Sequence, residues 1–214
     1  MKAVVVLSGG PDSATVAYHA RSQGYDVYAI TFNYGQIASK ETLHARMVAE
    51  RLGVSHMIVD LSSLRDVFGE STALMNKGIP MPSEFEPSII VPFRNAIFLS
   101  IAVAYATSIG ASKILYGAQG SDAPFYPDCR EDFYRTFQAA ARLGTDTEIE
   151  IEAPFHNIKK SDVLKLGLKL GVPYEITWSC YLNNALHCGV CESCLNRKRA
   201  FADANLKDPV RYER

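Results

Sequence analysis

The stretch AVVVLSGGPDSATVA, residues 3–17, decides the fold. Residues 3–7 are all apolar and mostly β-branched, which is typical of a strand buried on both faces of a parallel sheet. The turn SGGPDS at residues 8–13 follows, and a helical pattern begins at Ala14. A buried strand, a glycine turn and a helix in this order predict the start of a βαβ unit.

The same alternation continues along the chain. Further strands are predicted over residues 27–32, 57–61, 113–116 and 148–151, and helices over residues 14–24, 39–52, 93–109, 131–143, 161–170 and 196–204. This order predicts an α/β fold with a doubly wound, mainly parallel sheet of about five strands. The proline-rich segment at residues 70–92 is predicted to be a long surface excursion, a kind of loop that often binds ligands or closes over them.

Composition limits the classes of function. The chain has 214 residues, of which 48% are hydrophobic, and 22 basic residues balance 23 acidic ones. This length fits one domain with a small appendage, which we place at residues 1–175 and 176–214. Because the net charge is only −1, nucleic acid is not expected as a partner.

The hydropathy pattern predicts a cytoplasmic protein without a membrane contact. The apolar run at the N-terminus ends at Ser8 and is too short for the core of a signal peptide. The apolar segment at residues 96–109 is shorter than the ~20 residues that span a bilayer, so we expect a buried helix. Cytoplasmic thiols stay reduced, so the five cysteines favour metal binding or catalysis over disulfides.

Four cysteines form the pattern C-x7-C-x2-C-x2-C at Cys180, Cys188, Cys191 and Cys194. Two-residue spacings let successive thiolates face one ion, and four thiolates complete a tetrahedral zinc site without an open position. The predicted role is therefore structural. An iron–sulfur cluster or unligated thiols are the alternatives, and His187 is a spare candidate ligand.

The SGGPDS turn has the features of an anion cradle. Its glycines let the backbone approach a ligand, Ser8 and Ser13 offer hydroxyls, and the following helix presents free N–H groups. It matches neither the Walker loop nor G-x-G-x-x-G, and a plain turn is the alternative. In this position it resembles the pyrophosphate loop of the N-type ATP pyrophosphatases, the PP-loop superfamily, which cleave ATP between the α and β phosphates and adenylate an acceptor.

Further motifs resemble one branch of that superfamily. They are NYGQ at 33–36, VPFRN at 91–95, YPDCR at 126–130, TWSCY at 177–181 and HCGVCESC at 187–194. In this order they resemble the 7-cyano-7-deazaguanine synthase family over about residues 2–202. Two positions depart from the family: Phe93 replaces a usual Gly, and Pro124-Phe125 replaces a usual Ser-Gly pair in the substrate loop.

The resemblance implies an adenine nucleotide alpha hydrolase-like fold and an ATP-dependent ligase. The family converts 7-carboxy-7-deazaguanine and ammonia to 7-cyano-7-deazaguanine with two ATP, assisted by Mg²⁺, and is reported as dimeric. Two other functions stay open: a tRNA-modifying adenylating enzyme of the thiolase type, and a nucleotide-binding module that does no chemistry.

The resemblance also assigns site residues. The catalytic set is Ser8, Asp12, Ser13 and Lys160, and the loop residues Asp12 and Ser13 are expected at a solvent-facing turn. The ATP-binding set comprises Leu7, Ser8, Gly9, Gly10, Pro11, Asp12, Ser13, Ala14, Thr15, Val16 and Ala17. The substrate set comprises Arg94, Asn95, Asp122, Tyr126, Asp128 and Arg130.

Each of these roles has a plainer alternative. Arg94 could cap a helix or form a salt bridge, Asp128 and Arg130 could stabilise their loop, and Lys160 could be solvated. Asp128 could instead accept hydrogen bonds from a guanine-like edge. Cys129 could be a nucleophile, although adenylate chemistry needs none.

Overall fold

A five-stranded parallel sheet forms the centre of the molecule. The structure is a computed structural model that describes residues 1–69 and 71–214. Its strands are β1 (Lys2–Val6), β2 (Asp26–Asn33), β3 (Ser55–Asp60), β4 (Lys113–Leu115) and β5 (Glu150–Glu152), in the order β3-β2-β1-β4-β5. Every neighbouring pair is parallel, which confirms the predicted sheet.

Helices cover both faces of the sheet, as a doubly wound fold requires. They are α1 (Pro11–Ser22), α2 (Lys40–Leu52), α3 (Arg65–Phe68), α4 (Arg94–Ile109), α5 (Glu131–Thr145), α6 (Lys160–Lys169) and α7 (Glu192–Asp203). Residues of α1, α2, α6 and α7 share one core cluster, and residues of α4 and α5 share the cluster on the opposite face.

The central strand explains the uninterrupted apolar run at the start of the chain. Ala3 and Val5 point into the core beneath α1, and Val4 points into the core beneath α4. All three side chains are fully buried. Burying a valine in this way contributes roughly 1.5–3 kcal/mol, so this strand needs apolar residues on both faces.

The apolar helix α4 is a core helix. The segment Pro87–Ile109 has a mean hydropathy of 1.7 over its most apolar window and is long and apolar enough to cross a membrane by composition alone. In the fold, α4 packs against β1 and β4 and buries Leu99, Ala102 and Val103 in the sheet core. The predicted helix is therefore observed, with one face buried in the core and the other face more exposed.

The proline-rich segment differs from the surface excursion that we predicted. Its first residue, Glu70, lies outside the described residues. Beyond it, Leu74, Met75, Ile89 and Val91 are buried and form a small separate core with Tyr34. The prolines suggested an exposed loop, but the apolar residues between them bury one side of the segment against the sheet edge.

Phe93 adopts a left-handed backbone conformation, with φ 57° and ψ 24°, immediately before α4. Only glycine adopts this region without a steric cost. A glycine, which the resemblance led us to expect at this position, would adopt this conformation without strain. The phenylalanine takes the conformation that a glycine would take, and its ring is 64% exposed.

Phe93→Gly is expected to stabilise the chain by about 0.5–1 kcal/mol, because relief of the left-handed strain exceeds the small loss of packing by an exposed ring. Thermal unfolding of the purified variant measures the change. Phe125→Gly is the matched control, since Phe125 is also exposed but is not among the positive-φ residues. A variant at position 93 that is less stable than the parent chain would contradict the strain argument.

Candidate active site and metal centre

A cavity of about 280 Å³ opens where the carboxyl ends of β1 and β4 diverge. The strand order reverses between these strands, and ligands of open α/β sheets bind at this switch point. The cavity is lined by the SGGPDS loop, by α4, by the loop after β4, by Lys160 and by the cysteine-containing segment. Residues from distant parts of the sequence therefore meet in one site.

Hydrogen bonds within the SGGPDS loop, most of them between its two serines, fix its conformation. The Ser8 amide donates to Ser13 Oγ at 3.1 Å, and the two hydroxyls lie 3.0 Å apart. Ser13 Oγ also donates to the Gly10 carbonyl at 3.1 Å. Ser13 is 5% exposed, so the expectation that it lies at a solvent-facing turn is wrong. Its hydroxyl organises the loop from beneath.

Gly9 is the residue at which the loop packs closely against α2. Its φ is +88°, and a Cβ added here would lie 2.4 Å from the Glu41 carbonyl oxygen. The Gly9 carbonyl accepts a hydrogen bond of 2.9 Å from the Trp178 amide. The loop is thus fixed on one side by a helix and on the other by the C-terminal segment.

Apart from Gly9, which packs against α2, the predicted ATP-binding set divides into two groups. Six residues line the cavity: Leu7, Ser8, Gly10, Pro11, Asp12 and Ser13. The four residues after the loop, Ala14, Thr15, Val16 and Ala17, lie inside α1 and are fully buried. These four belong to the core that supports the loop.

Asp12 and Lys160 form an ion pair at the floor of the cavity, with Nζ and Oδ2 3.0 Å apart. Gln119 Nε2 donates to the same oxygen at 3.4 Å. The second oxygen, Asp12 Oδ1, is buried without a hydrogen-bond partner among the described residues. A buried carboxylate oxygen without a partner is costly, and a bound cation would supply the missing interaction. Burial would lower the pKa of Lys160, but Asp12 and Asp122 raise it, so the lysine stays charged.

Asp122 brings a second carboxylate to this floor. Burial raises its pKa to about 6, against the lowering effect of Lys160, and Asp12 raises it further. Its Oδ2 accepts a hydrogen bond of 3.3 Å from the Gln119 backbone N–H. Two carboxylates beside one lysine form a site that a divalent cation would stabilise.

Arg94 borders the cavity on the opposite side. Its Nη1 donates to the Tyr34 hydroxyl at 3.1 Å, and its guanidinium lies over the rings of Tyr34 and Phe98. No carboxylate of the described residues forms a salt bridge with it. The remaining guanidinium donors are therefore available to an anionic ligand.

The other predicted substrate residues occupy different positions. Asn95 and Tyr126 line the cavity, whereas Asp128 and Arg130 are absent from its described lining. Asp128 Oδ2 accepts from the Asn95 amide at 3.0 Å, at the first turn of α4. Arg130 Nε donates to the Ala123 carbonyl at 3.0 Å. These two side chains hold the loop after β4 in place, through the Asn95 amide and the Ala123 carbonyl.

Several lining residues were not singled out in the sequence. Tyr116 and Gly117 follow β4 directly, a position from which parallel strands supply site residues, and Trp178 and Tyr181 lie within the TWSCY motif. Glu41, at the start of α2, also lines the cavity. Burial raises its pKa to about 7, against Arg94 and a hydrogen bond from Gln36. Nothing in the local sequence marks Glu41.

The four clustered cysteines are buried, and all four sulfurs lie within 4.8 Å of one another. A tetrahedron with ~2.3 Å metal–sulfur bonds places its sulfurs about 3.8 Å apart, so the cluster fits one ion. The amides of Leu182 and Cys188 donate to Cys180 Sγ at 3.4 Å, and such donors stabilise thiolates. The four cysteines could therefore hold a metal.

His187, the spare candidate ligand, contacts Ser179 and Trp178. Its Nε2 accepts a hydrogen bond of 3.2 Å from the Ser179 amide, and its ring packs 4.3 Å from that of Trp178. Burial lowers the pKa of His187 to about 4, which keeps the ring neutral and able to accept. Its role is to support the segment that borders the cavity.

Comparisons with known proteins place the chain in a family. Residues 2–205 match the family described as "Queuosine biosynthesis protein QueC". A 7-cyano-7-deazaguanine synthase of Caldicellulosiruptor saccharolyticus is 44% identical over 216 residues, covering 100% of this chain and 96% of the relative. One from Archaeoglobus fulgidus is 44% identical over 214 residues, covering 98% of this chain and 90% of the relative.

Solved structures support the fold. An NMN synthetase of Francisella tularensis superposes with a TM-score of 0.56 at 19% identity, covering 96% of this chain and 78% of the other. A 4-thiouridine synthetase, solved as an RNA complex with bound ATP, gives a TM-score of 0.57 at 18% identity, covering 95% of this chain and 51% of the other. At this identity the likeness concerns the fold alone. Sequence and fold agree: the chain belongs to the QueC family of queuosine biosynthesis, whose named relatives are 7-cyano-7-deazaguanine synthases.

Proposed function

We propose that this chain is a ligase that converts 7-carboxy-7-deazaguanine and ammonia to 7-cyano-7-deazaguanine at the expense of two ATP. The observation that carries the proposal is one cavity that is lined by the SGGPDS loop, by the Asp12–Lys160 pair and by Arg94, which forms no salt bridge with the described residues. The names of the relatives supply the substrate class.

The first half of the reaction makes an amide. A carboxylate oxygen of the substrate attacks the α-phosphorus of ATP, the bond to the β-phosphate breaks, and pyrophosphate leaves with the electron pair. Ammonia then attacks the carbonyl carbon, AMP leaves, and the nitrogen loses one proton. The protein's task is alignment and charge stabilisation, and the free amides of the SGGPDS loop serve both.

The second half removes the amide oxygen. That oxygen attacks a second ATP and again expels pyrophosphate. AMP then departs with the oxygen while the nitrogen loses two protons, which leaves the carbon–nitrogen triple bond. Because both halves begin with the same attack on phosphorus, one loop and one lysine serve both.

Two metals accompany this chemistry. Asp12 and Asp122 would hold Mg²⁺, and the orphaned Asp12 Oδ1 supports that assignment. A divalent ion there offsets the charge of the leaving pyrophosphate. Cys180, Cys188, Cys191 and Cys194 would hold one structural zinc.

The predicted substrate residues receive distinct roles. Arg94 would bind an anionic oxygen of the substrate or of the α-phosphate, Tyr126 would contact the heterocycle, and Asn95 would present its side chain to a substrate in the cavity. Asp128 and Arg130 would act through their contacts with Asn95 and with the substrate loop. We place the working enzyme in the cytoplasm, where the cysteine cluster stays reduced, and propose a homodimer, with α4 contributing to its interface.

An assay of phosphate products tests the proposal. Purified chain is incubated with ATP and Mg²⁺, with and without 7-carboxy-7-deazaguanine and ammonium. AMP and pyrophosphate should form only when the acid is present, and the nitrile should form only when ammonium is added. Formation of ADP, or formation of AMP at the same rate with and without the acid, would refute the proposed function.

Free ammonia, not glutamine, is expected to be the nitrogen donor of the isolated chain. The four clustered cysteines are committed to the metal site. Burial raises the pKa of the remaining Cys129 to about 12, so it is a poor nucleophile for glutamine hydrolysis. Glutamine supplied as the sole nitrogen source should give no nitrile, and mass spectrometry of the product measures this. Nitrile formed at the ammonium rate, with glutamate as co-product, would reveal a glutaminase site.

A further inference from the structure

We propose that a corner of the cavity formed by Asn95, Tyr116 and Cys129 is the binding site for the ammonium ion, which loses one proton to water before ammonia attacks. This inference rests on the proposed function, because it assigns a place to the nitrogen donor of that reaction. All three residues line the cavity, and they come from α4, from the end of β4 and from the substrate loop.

The first observation is the hydroxyl of Tyr116. The residue is only 4% exposed, and its Oη has no hydrogen-bond partner among residues 1–69 and 71–214. A buried hydroxyl without a partner is costly, so native sites rarely keep one without a reason. The ring is held from behind by an edge contact with Tyr134, with centroids 5.9 Å apart. The hydroxyl is therefore fixed in place and lacks a partner.

The second observation is the orientation of the Asn95 amide. Its Nδ2 donates to the Asp128 carbonyl at 3.4 Å and to Cys129 Sγ at 3.3 Å. Both amide protons are used, so Oδ1 is the group that remains for a ligand. Cys129 is a neutral thiol, since burial raises its pKa to about 12. The corner thus presents oxygen and sulfur acceptors.

The third observation is the local charge. The carboxylates of Asp122 and Asp128 act on both Tyr116 and Cys129 and disfavour a further negative charge there. Arg94 opposes them at Cys129 only, where its effect comes after those of the two carboxylates. A small cation with several N–H donors and no acceptor suits such a corner, and ammonium has that chemistry. The carboxylate of the acid substrate suits Arg94 better.

The test separates nitrogen binding from adenylation. Tyr116→Phe is compared with the parent chain in three assays: the KM for ammonium, the acid-dependent exchange of pyrophosphate into ATP without nitrogen donor, and hydroxamate formation from hydroxylamine. Hydroxylamine is largely neutral near neutral pH and gains little from a cation site. The KM for ammonium should rise about tenfold, as for one lost hydrogen bond to a charged group, while exchange and hydroxamate formation stay unchanged.

Control variants sharpen the result. Tyr134→Phe alters the neighbouring ring, which is outside the described lining of the cavity, and should leave the KM for ammonium unchanged. Cys129→Ala removes the sulfur acceptor and should raise the KM for ammonium. In the parent chain, potassium, a cation of similar size, should compete with ammonium, and sodium at equal ionic strength should not.

Three outcomes would overturn the assignment. They are an unchanged KM for ammonium in Tyr116→Phe, equal losses in all three assays, and no competition by potassium. Equal losses would mean that Tyr116 binds the acid or supports the fold. The competition experiment needs no variant, so it decides even if Tyr116→Phe does not fold. Absence of acid-dependent exchange in the parent chain would instead refute the proposed function.

Discussion

Asp12→Asn is expected to lower AMP formation by at least ~100-fold, the usual scale for one lost transition-state contact. Asp12 is the partner of Lys160 at 3.0 Å, and its second oxygen is orphaned inside the cavity. An amide at this position abolishes the ion pair, frees Lys160 to move, and removes a cation ligand beside the pyrophosphate. Acid-dependent release of AMP, measured by chromatography, gives the loss directly.

Asp162→Asn is the matched control for that experiment. Asp162 lies two residues after Lys160 on the same helix and pairs with Lys165 at 3.1 Å, but its side chain is 53% exposed. Such surface pairs contribute little, so the control should keep its activity and its thermal stability. Activity retained by Asp12→Asn, or lost equally by Asp162→Asn, would mean that the Asp12–Lys160 pair does not take part in the reaction.

The architecture was readable from the sequence because its signals are local. A run of buried apolar residues followed by a glycine turn specifies a parallel strand and its crossover, and the observed sheet agrees. The errors lie at boundaries. α1 begins at Pro11 and not at Ala14, because a proline at the first helical position costs no hydrogen bond. α7 begins at Glu192 and not at 196, so that the third cysteine, Cys191, is its N-cap and the fourth, Cys194, lies in its first turn.

The site was readable only in part, because most of its contacts join distant segments. Asp12 and Lys160 were both singled out, yet their pairing depends on how α6 packs against α1. Glu41 and Tyr116 carry no local motif, and only the fold brings them to the cavity. Asp128 illustrates the reverse case. This loop carboxylate could bind a guanine-like edge, but it accepts a hydrogen bond from the Asn95 backbone amide in the first turn of α4.

Removal of the metal is expected to loosen the C-terminal segment and to weaken nucleotide binding together with it. Without the ion the four buried cysteines take up protons and lose the bonds that hold them together, and structural zinc sites supply folding free energy on the order of 10 kcal/mol. The segment is also coupled to the loop, since the Trp178 amide donates to the Gly9 carbonyl and its indole Nε1 donates to the Cys180 carbonyl at 2.7 Å. Loss of the ion should therefore reach the SGGPDS loop.

The single tryptophan of the chain reports this change. Trp178 is 4% exposed and packs against His187, so chelation should shift its fluorescence emission to the red and lower the thermal midpoint. Cys188→Ser should reproduce both effects and lose the copurified zinc, whereas Cys129→Ser, outside the cluster, should keep the metal. Elemental analysis distinguishes the two variants. Iron with visible absorbance in place of zinc, or an emission spectrum that chelation leaves unchanged, would contradict a structural zinc that supports the nucleotide loop through Trp178.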